Sequence, residues 1–218
     1  MAEFDIYDRY STTIAITLRE ADIIRNNTSK THVVSIPMMQ ELSLIQNSYS
    51  GSAIFPVGPN PFNLQGYFYF LKRILPQVLQ QVPSFRMQVT GSIWNNISLD
   101  KVDGVDFSGF VPDLAAEYAQ SRFLICPVFG GTGQQVKIVE AMAHGLPVVA
   151  LKDAARRSPL QHQINGLVAE NAEEFSECVI RLWEDRNLCR QLGYAARDTI
   201  ASQYSEDSLC KSLALVFQ

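Results

Sequence analysis

Residues 123–150 read Phe-Leu-Ile-Cys-Pro-Val-Phe-Gly-Gly-Thr-Gly-Gln-Gln-Val-Lys-Ile-Val-Glu-Ala-Met-Ala-His-Gly-Leu-Pro-Val-Val-Ala, and no other stretch of the chain limits its folding so tightly. An apolar run, a glycine cluster, a run of helical period and a second apolar run predict strand, loop, helix, strand. The loop Gly130-Gly131-Thr132-Gly133 can bring bare backbone N–H groups against an anion, and the N-terminus of the following helix adds partial positive charge. Lys137 and Glu140 share one face of that helix. A cation beside a phosphate cradle, with a carboxylate one turn deeper, suits a sugar nucleotide diphosphate: Lys137 would meet the phosphates and Glu140 the ribose hydroxyls.

The alternation extends through most of the chain. Runs rich in valine, isoleucine and phenylalanine at 12–16, 32–36, 53–57, 86–90, 105–108, 123–127 and 147–151 read as short buried strands. Helical periodicity separates most of them. The longest such segment sets Leu64, Tyr67, Phe68, Leu71, Ile74, Leu75, Val78 and Val82 against Lys72, Arg73, Gln77 and Gln80, and Pro76 should kink or cut it. The expected fold is α/β, a Rossmann-like doubly wound parallel sheet with right-handed crossovers. Beyond residue 168 the pattern turns helical. Asn171 and Glu174 open a helix over 172–185, a second helix covers 186–203, and Ser205 caps a last one over 206–217. Glu170, Glu173, Glu174 and Glu177 complement the dipole of the first of these and are read as no catalytic cluster.

Composition excludes several functions. A net charge of −4 and a pI near 5.4 argue against a nucleic-acid binder held by phosphate neutralisation. The acidic Met-Ala-Glu-Phe-Asp start has no signal-peptide core, and no run approaches the roughly 18 apolar residues of a membrane span. The expected location is cytoplasmic, or peripheral at the inner membrane face. Cys126, Cys178, Cys189 and Cys210 have no metal or redox spacing, and Cys126 reads as a core residue. The Asn-x-Ser/Thr triplets at Asn26 and Asn96 are read as chance matches.

A series of landmarks in order carries a family resemblance: Phe55-Pro56-Val57-Gly58 with Pro61-Phe62-Asn63, Gly91 after Met87-Gln88-Val89-Thr90, Gly109-Phe110-Val111-Pro112-Asp113-Leu114, Pro127 with Gly131-Thr132-Gly133, the run from Lys137 to Val149, Asn165-Gly166-Leu167, and Leu192-Gly193-Tyr194-Ala195-Ala196-Arg197. Over residues 54–204 the chain resembles the C-terminal half of group 1 glycosyltransferases, mostly retaining enzymes of GT-B fold. The resemblance implies a nucleotide-sugar site made of Gly131, Thr132, Gly133, Gln134, Lys137 and Glu140, with the base near Gly91 and residues 110–114. It implies hexose transfer from a UDP- or GDP-sugar to an acceptor hydroxyl on a glycan or lipid-linked sugar, without cofactor or metal. It assigns no catalytic residue.

Departures from the family pattern qualify this picture. Thr132 stands where many members have a second glutamate, Gln135 stands where a Gly-x-Gly sub-group has arginine, and the Arg and Lys that others place after their first strand are missing from residues 58–62. Phosphate neutralisation would rest chiefly on Lys137 and the helix N-terminus. Residues 1–50 resemble a remnant of the N-terminal acceptor-side domain plus linker, 51–204 the nucleotide-sugar domain and 205–218 a C-terminal helix. The chain alone would then be inactive, and the surface left by the missing domain would favour self-association or a partner subunit.

Two other readings use the same residues. Thr132 and the missing domain are also consistent with a non-catalytic nucleotide-sugar-binding or assembly module. Gly131-x-Gly133-x-x-Val136, with Asp153 beyond the next strand, imitates an NAD-binding oxidoreductase fingerprint, but Val136 replaces the third glycine and Lys137 and Glu140 have no duty in that scheme. His144 reads as a helix stop before Gly145. His162 and the Arg156-Arg157 pair read as solvated loop residues at the ligand end of the sheet.

Overall fold

The computed structural model describes residues 2–43, 46–91, 102–214 and 216, so Asn96 and Phe217 lie outside the described residues. A small N-terminal unit holds α1 (Ala2–Tyr7), β1 (Thr12–Ala15), α2 (Leu18–Asn27) and β2 (His32–Ser35). Thr17 Oγ1 accepts from Glu20 N at 3.1 Å and starts α2. The two strands pair in parallel, Thr12 opposite His32 through Ala15 opposite Ser35. Their core is small: Ala15, Ala21, Ile24 and Val33, with Phe4 and Tyr7 packed against it.

The larger unit is a parallel sheet of β3 (Ala53–Pro56), β4 (Met87–Thr90), β5 (Val105–Gly109), β6 (Leu124–Cys126), β7 (Val148–Leu151) and β8 (Leu167–Ala169), in the spatial order β5-β4-β3-β6-β7-β8. Every residue of β3, β6 and β7 is buried, because helices cover both faces of a sheet of this kind. The expected strands form with most of them trimmed by a residue at one or both ends and β5 longer by one, and Cys126 is fully buried as read. Strand β8 is an addition to the expectation.

Helix formation around the sheet follows local chemistry. The segment expected as one kinked helix becomes α3 (Pro61–Tyr69), a π-turn at Phe70–Ile74 and α4 (Leu75–Gln81). Pro76 has no N–H to give to the preceding turn, and Leu75 N–H reaches back five residues to Phe70 O, so the backbone widens where a kink was expected. Asp113 caps α5 (Leu114–Gln120), and Asn171 and Asp185 cap α8 (Ala172–Glu184) and α9 (Arg186–Gln203). The Asn171–Glu174 pair forms a variant of the expected box: Glu174 N donates to Asn171 Oδ1 at 3.0 Å, while the Glu174 carboxylate takes Glu170 N at 2.9 Å. The remaining helices are α6 (Val136–Ala143), α7 (Lys152–Ala155) and α10 (Glu206–Ala214), the last shorter than the expected 206–217.

Candidate functional site

Chain order along the sheet reverses between β3 and β6, so the connections leave these neighbours in opposite directions and a crevice opens beyond their carboxyl ends. A cavity of about 610 Å³ lies there, within the size range of small-ligand sites. One wall is made of Val57 and Gly58 after β3, Thr90 and Gly91 at the end of β4, and Phe110, Val111 and Leu114 between β5 and α5. The other wall is the loop after β6 and the first turns of α6. Phe110 is 77% exposed at this wall and presents an aromatic surface there.

Of the six residues expected to bind, Gly131, Thr132, Gln134, Lys137 and Glu140 line the cavity. Gly133 lies away from it. Its N–H donates at 2.9 Å to the Glu20 carboxylate from the first turn of α2, and Gly130 N–H donates at 2.7 Å to Asp153 Oδ2. Two amides of the loop thus hold carboxylates of the chain itself. Gln134 Oε1 accepts Met38 N–H at 3.2 Å, a further tie to the N-terminal unit.

Lys137 is placed differently from the expectation. Its ammonium donates to Pro56 O at 2.6 Å and to Asn63 Oδ1 at 2.7 Å, and lies 4.9 Å from the centroid of the Phe55 ring. It turns toward β3 and α3 and acts as a strut between them and α6. Desolvation lowers its pKa, opposed by the nearby Cys126 and Glu140.

Glu140 faces the cavity and is partly exposed. Desolvation pushes its carboxyl above the ordinary range, only partly offset by His144, the Tyr118 hydroxyl and Lys137. The Tyr118 hydroxyl stands 3.5 Å from Glu140 Oε2, and burial followed by this carboxylate pushes its own pKa well up. His144 ends α6 as expected. Its backbone N–H bonds Glu140 O and Ala141 O at 3.1 Å, its Nδ1 lies 2.8 Å from Glu140 O, and Gly145 follows with φ +65°, the left-handed turn that glycine accepts readily.

Arg157 departs furthest from the sequence reading. Arg156 is exposed as expected, but Arg157 is only 5% exposed and lines the cavity. Its Nη2 donates to Gly130 O at 2.6 Å, and its own carbonyl accepts Gln135 N–H at 2.9 Å, so one residue holds both ends of the glycine loop. Asp153, one helical turn earlier, lies 3.5 Å from Nη2 and also pairs with Arg19 at 3.0 Å. Burial raises the Asp153 pKa, but Gly130 N–H, Arg157 and Arg19 together outweigh it and hold the carboxyl below its ordinary value. Asp153 is therefore engaged by its own loop and is not the free ribose ligand of the dinucleotide scheme. The sequence signal for this cluster was the four-residue spacing of Asp153 and Arg157, which matters only once α7 is recognised as a helical turn. His162 is exposed, and its Nδ1 accepts Val168 N–H at 3.0 Å.

Comparisons with known proteins bear on the family and the fold. The family model described as glycosyl transferases group 1 matches residues 52–185. The uncharacterised 44.6 kDa protein in the cps region of Klebsiella pneumoniae is 21% identical over 163 residues, 70% of this chain and 42% of its own. The GDP-mannose-dependent alpha-(1-6)-phosphatidylinositol monomannoside mannosyltransferase of Mycobacterium tuberculosis is 30% identical over 122 residues, 51% of this chain and 32% of its own. The chain thus spans about two fifths, or less, of the length of the curated relatives it matches. Among solved structures, Anabaena HepE in complex with UDP-glucose superimposes with a TM-score of 0.78 at 16% identity, covering 99% of this chain and 66% of HepE, and so shares its fold. No helix among the described residues is long and apolar enough to cross a membrane.

Proposed function

The chain belongs to the group 1 glycosyl transferases, and on that premise we propose that it is the donor-binding half of an enzyme moving a hexose from a nucleoside diphosphate sugar to an acceptor hydroxyl. The observation that carries this reading is the crevice: Glu140 faces a cavity of about 610 Å³ bounded by glycine-loop backbone on one side and the exposed Phe110 ring on the other. A ribose fits beside Glu140, a base against Gly91 and Phe110, and a diphosphate along Gly131 and Thr132 toward the start of α6. The named dependence of the mycobacterial relative on GDP-mannose, and UDP-glucose in the HepE structure, support a donor of this class.

In this proposal the departing diphosphate is stabilised by fixed dipoles and charge, without a metal and with retention at the anomeric carbon. Residues 1–50 are the closing strand, helix and strand of an acceptor-side domain, 51–204 the donor domain and 205–218 the helix returning toward the acceptor side. Transfer then requires that domain or a partner subunit to complete the cleft, in a protein working in the cytoplasm or at the inner membrane face. A non-catalytic binding or assembly module is the second reading, favoured by Thr132 at the loop and by the carboxylates of Glu20 and Asp153 on its amides.

Calorimetric titration with UDP, GDP, UDP-glucose, GDP-mannose and NADH tests the proposal. Heat is expected from one base series and none from NADH. Glu140→Gln should weaken the active series about 10-fold, the loss of charge on a hydrogen-bonded acceptor. Heat from NADH alone would move the chain to the oxidoreductases, and silence from every ligand would favour the assembly module.

A further inference from the structure

The glycine loop, α6 and the turn after α7 line a cavity with two cationic side chains among the described residues, Lys137 and Arg157. A diphosphate needs a cation as well as amides, because its charge is not balanced by neutral donors alone. Lys137 is largely spent on protein acceptors: two of its three donors are given to Pro56 O and Asn63 Oδ1. Resting on the donor-binding reading above, we propose that Arg157 is the residue that binds the donor's diphosphate.

Its position supports this role. The guanidinium lies against the loop, with Nη1 2.9 Å from where a Cβ on Gly131 would stand, and Gly131 has φ +101°. Any side chain at 131 would press on that nitrogen and strain the backbone, so glycine is what lets cation and loop amides share one concave surface. Nε donates to Asp153 O at 3.3 Å and Nη2 to Gly130 O at 2.6 Å, which fixes the plane of the group, while Nη1 forms no hydrogen bond among the described residues. An arginine already locked by backbone acceptors loses little rotamer freedom when it meets a phosphate.

The charge around it remains available. Asp153 is the carboxylate paired with Arg157, and it also serves Arg19 and Gly130 N–H, so its negative charge is divided among three donors. Glu20 is held by the Gly133 amide, and neither residue is part of the cavity lining. The arrangement is a preorganised anion site with one uncommitted guanidinium edge.

The test compares Arg157→Gln and Arg157→Lys with the wild-type chain in calorimetric titrations of UDP and UMP, and of GDP and GMP, beside thermal unfolding of each variant. A diphosphate contact predicts that Arg157→Gln weakens the diphosphates about 10- to 100-fold and the monophosphates much less, with partial recovery in Arg157→Lys. Equal loss for di- and monophosphates, in step with a lower melting temperature and without recovery by lysine, would reduce Arg157 to a loop support and overturn the proposal. Unchanged UDP and GDP affinity in Arg157→Gln would also overturn it while leaving the donor-binding reading intact. Should Arg157→Gln fail to fold, the ³¹P resonances of bound UDP in Arg157→Lys decide: a shifted β-phosphorus supports the contact and an unshifted one overturns it. If the wild-type chain binds no nucleoside diphosphate, the donor-binding reading falls and this proposal with it.

Discussion

The two sheets of this chain are built from the same parallel βαβ logic but differ in what they bury. The six-stranded sheet has strands of zero exposure at Ile54, Phe55, Leu124, Ile125, Val148 and Val149, closed by helices on both sides. The β1–α2–β2 unit buries Ala15, Ala21, Ile24 and Val33 but leaves Ile14 at 46%, Leu18 at 73% and Ile23 at 44% exposed. The large sheet carries its own core, whereas the small one depends on contacts elsewhere. Among those contacts are Arg19 to Asp153, Glu20 to Gly133 and Met38 to Gln134, and all three land on the glycine loop or the α7 turn behind it. Stability and positioning are thus assigned to different regions: one supplies the crevice, the other reaches across to its glycine loop.

The largest effect should come from cutting each core. Leu124→Ala removes a fully buried side chain at the centre of the large sheet and should cost about 2–5 kcal/mol of global stability, read by chemical denaturation. Ile24→Ala in α2 should leave that transition in place and speed amide exchange over residues 12–35 only. If both variants shift one common transition equally, the two regions form one cooperative unit and the comparison breaks.

An intermediate effect is expected at the bridge. Arg19→Ala with Glu20→Ala removes a partly exposed ion pair and the acceptor on Gly133 N–H, and should cost about 1–2 kcal/mol or less. Exchange of the Gly133 amide should rise while that of Leu124 and Val149 stays slow; protection at Gly133 that survives the double substitution would show that the loop holds itself without the N-terminal unit.

The smallest effect is acid sensitivity, and it should appear in both regions. Asp8 accepts from the backbone N–H groups of Lys30, Ser29 and Thr31, and these bonds, Lys30 foremost, hold its carboxyl below the ordinary 3.8. Asp153 is also held below 3.8 by the loop amide and two arginines, against the opposing effect of burial. A depressed folded pKa means that the stability is present above the unfolded value and is lost as pH falls through the folded one. Asp8→Asn and Asp153→Asn should each flatten the acid limb below about pH 4 in their own region, measured by exchange at graded pH. An unchanged acid limb in Asp153→Asn would remove that carboxylate from the loop's support.

Most of the fold was legible because period and burial agree. The runs ending at Pro56, Cys126 and Leu151 are apolar throughout, and a strand buried on both faces needs no alternation to announce it. Strand β8 was harder to see because it has only three residues, directly followed by the Asn171 cap that dominates the local signal. The π-turn at 70–74 was hidden for another reason: Pro76 states that a hydrogen bond is missing, and not how the backbone absorbs the loss.

The candidate site was legible in its backbone, whereas the partners of its charged groups and the burial of Arg157 were not. Gly131, Thr132 and Glu140 stand on the cavity wall because loop and helix register place them there. Lys137 was expected at the phosphates from its place in the loop–helix pattern and from the family resemblance; it lines the cavity, and its ammonium also bonds Asn63 and Pro56 O, more than seventy residues earlier. The Arg156-Arg157 pair shows the same limit, since two identical neighbours end up on opposite sides of the surface and only tertiary packing of α7 under the loop chooses between them.

Arg157 grasps Gly130 with its guanidinium and Gln135 with its carbonyl, so the span between them has no independent hinge. The Arg19–Asp153 pair adds the N-terminal unit to the same set of ties, so three separate stretches of the chain meet at this one loop.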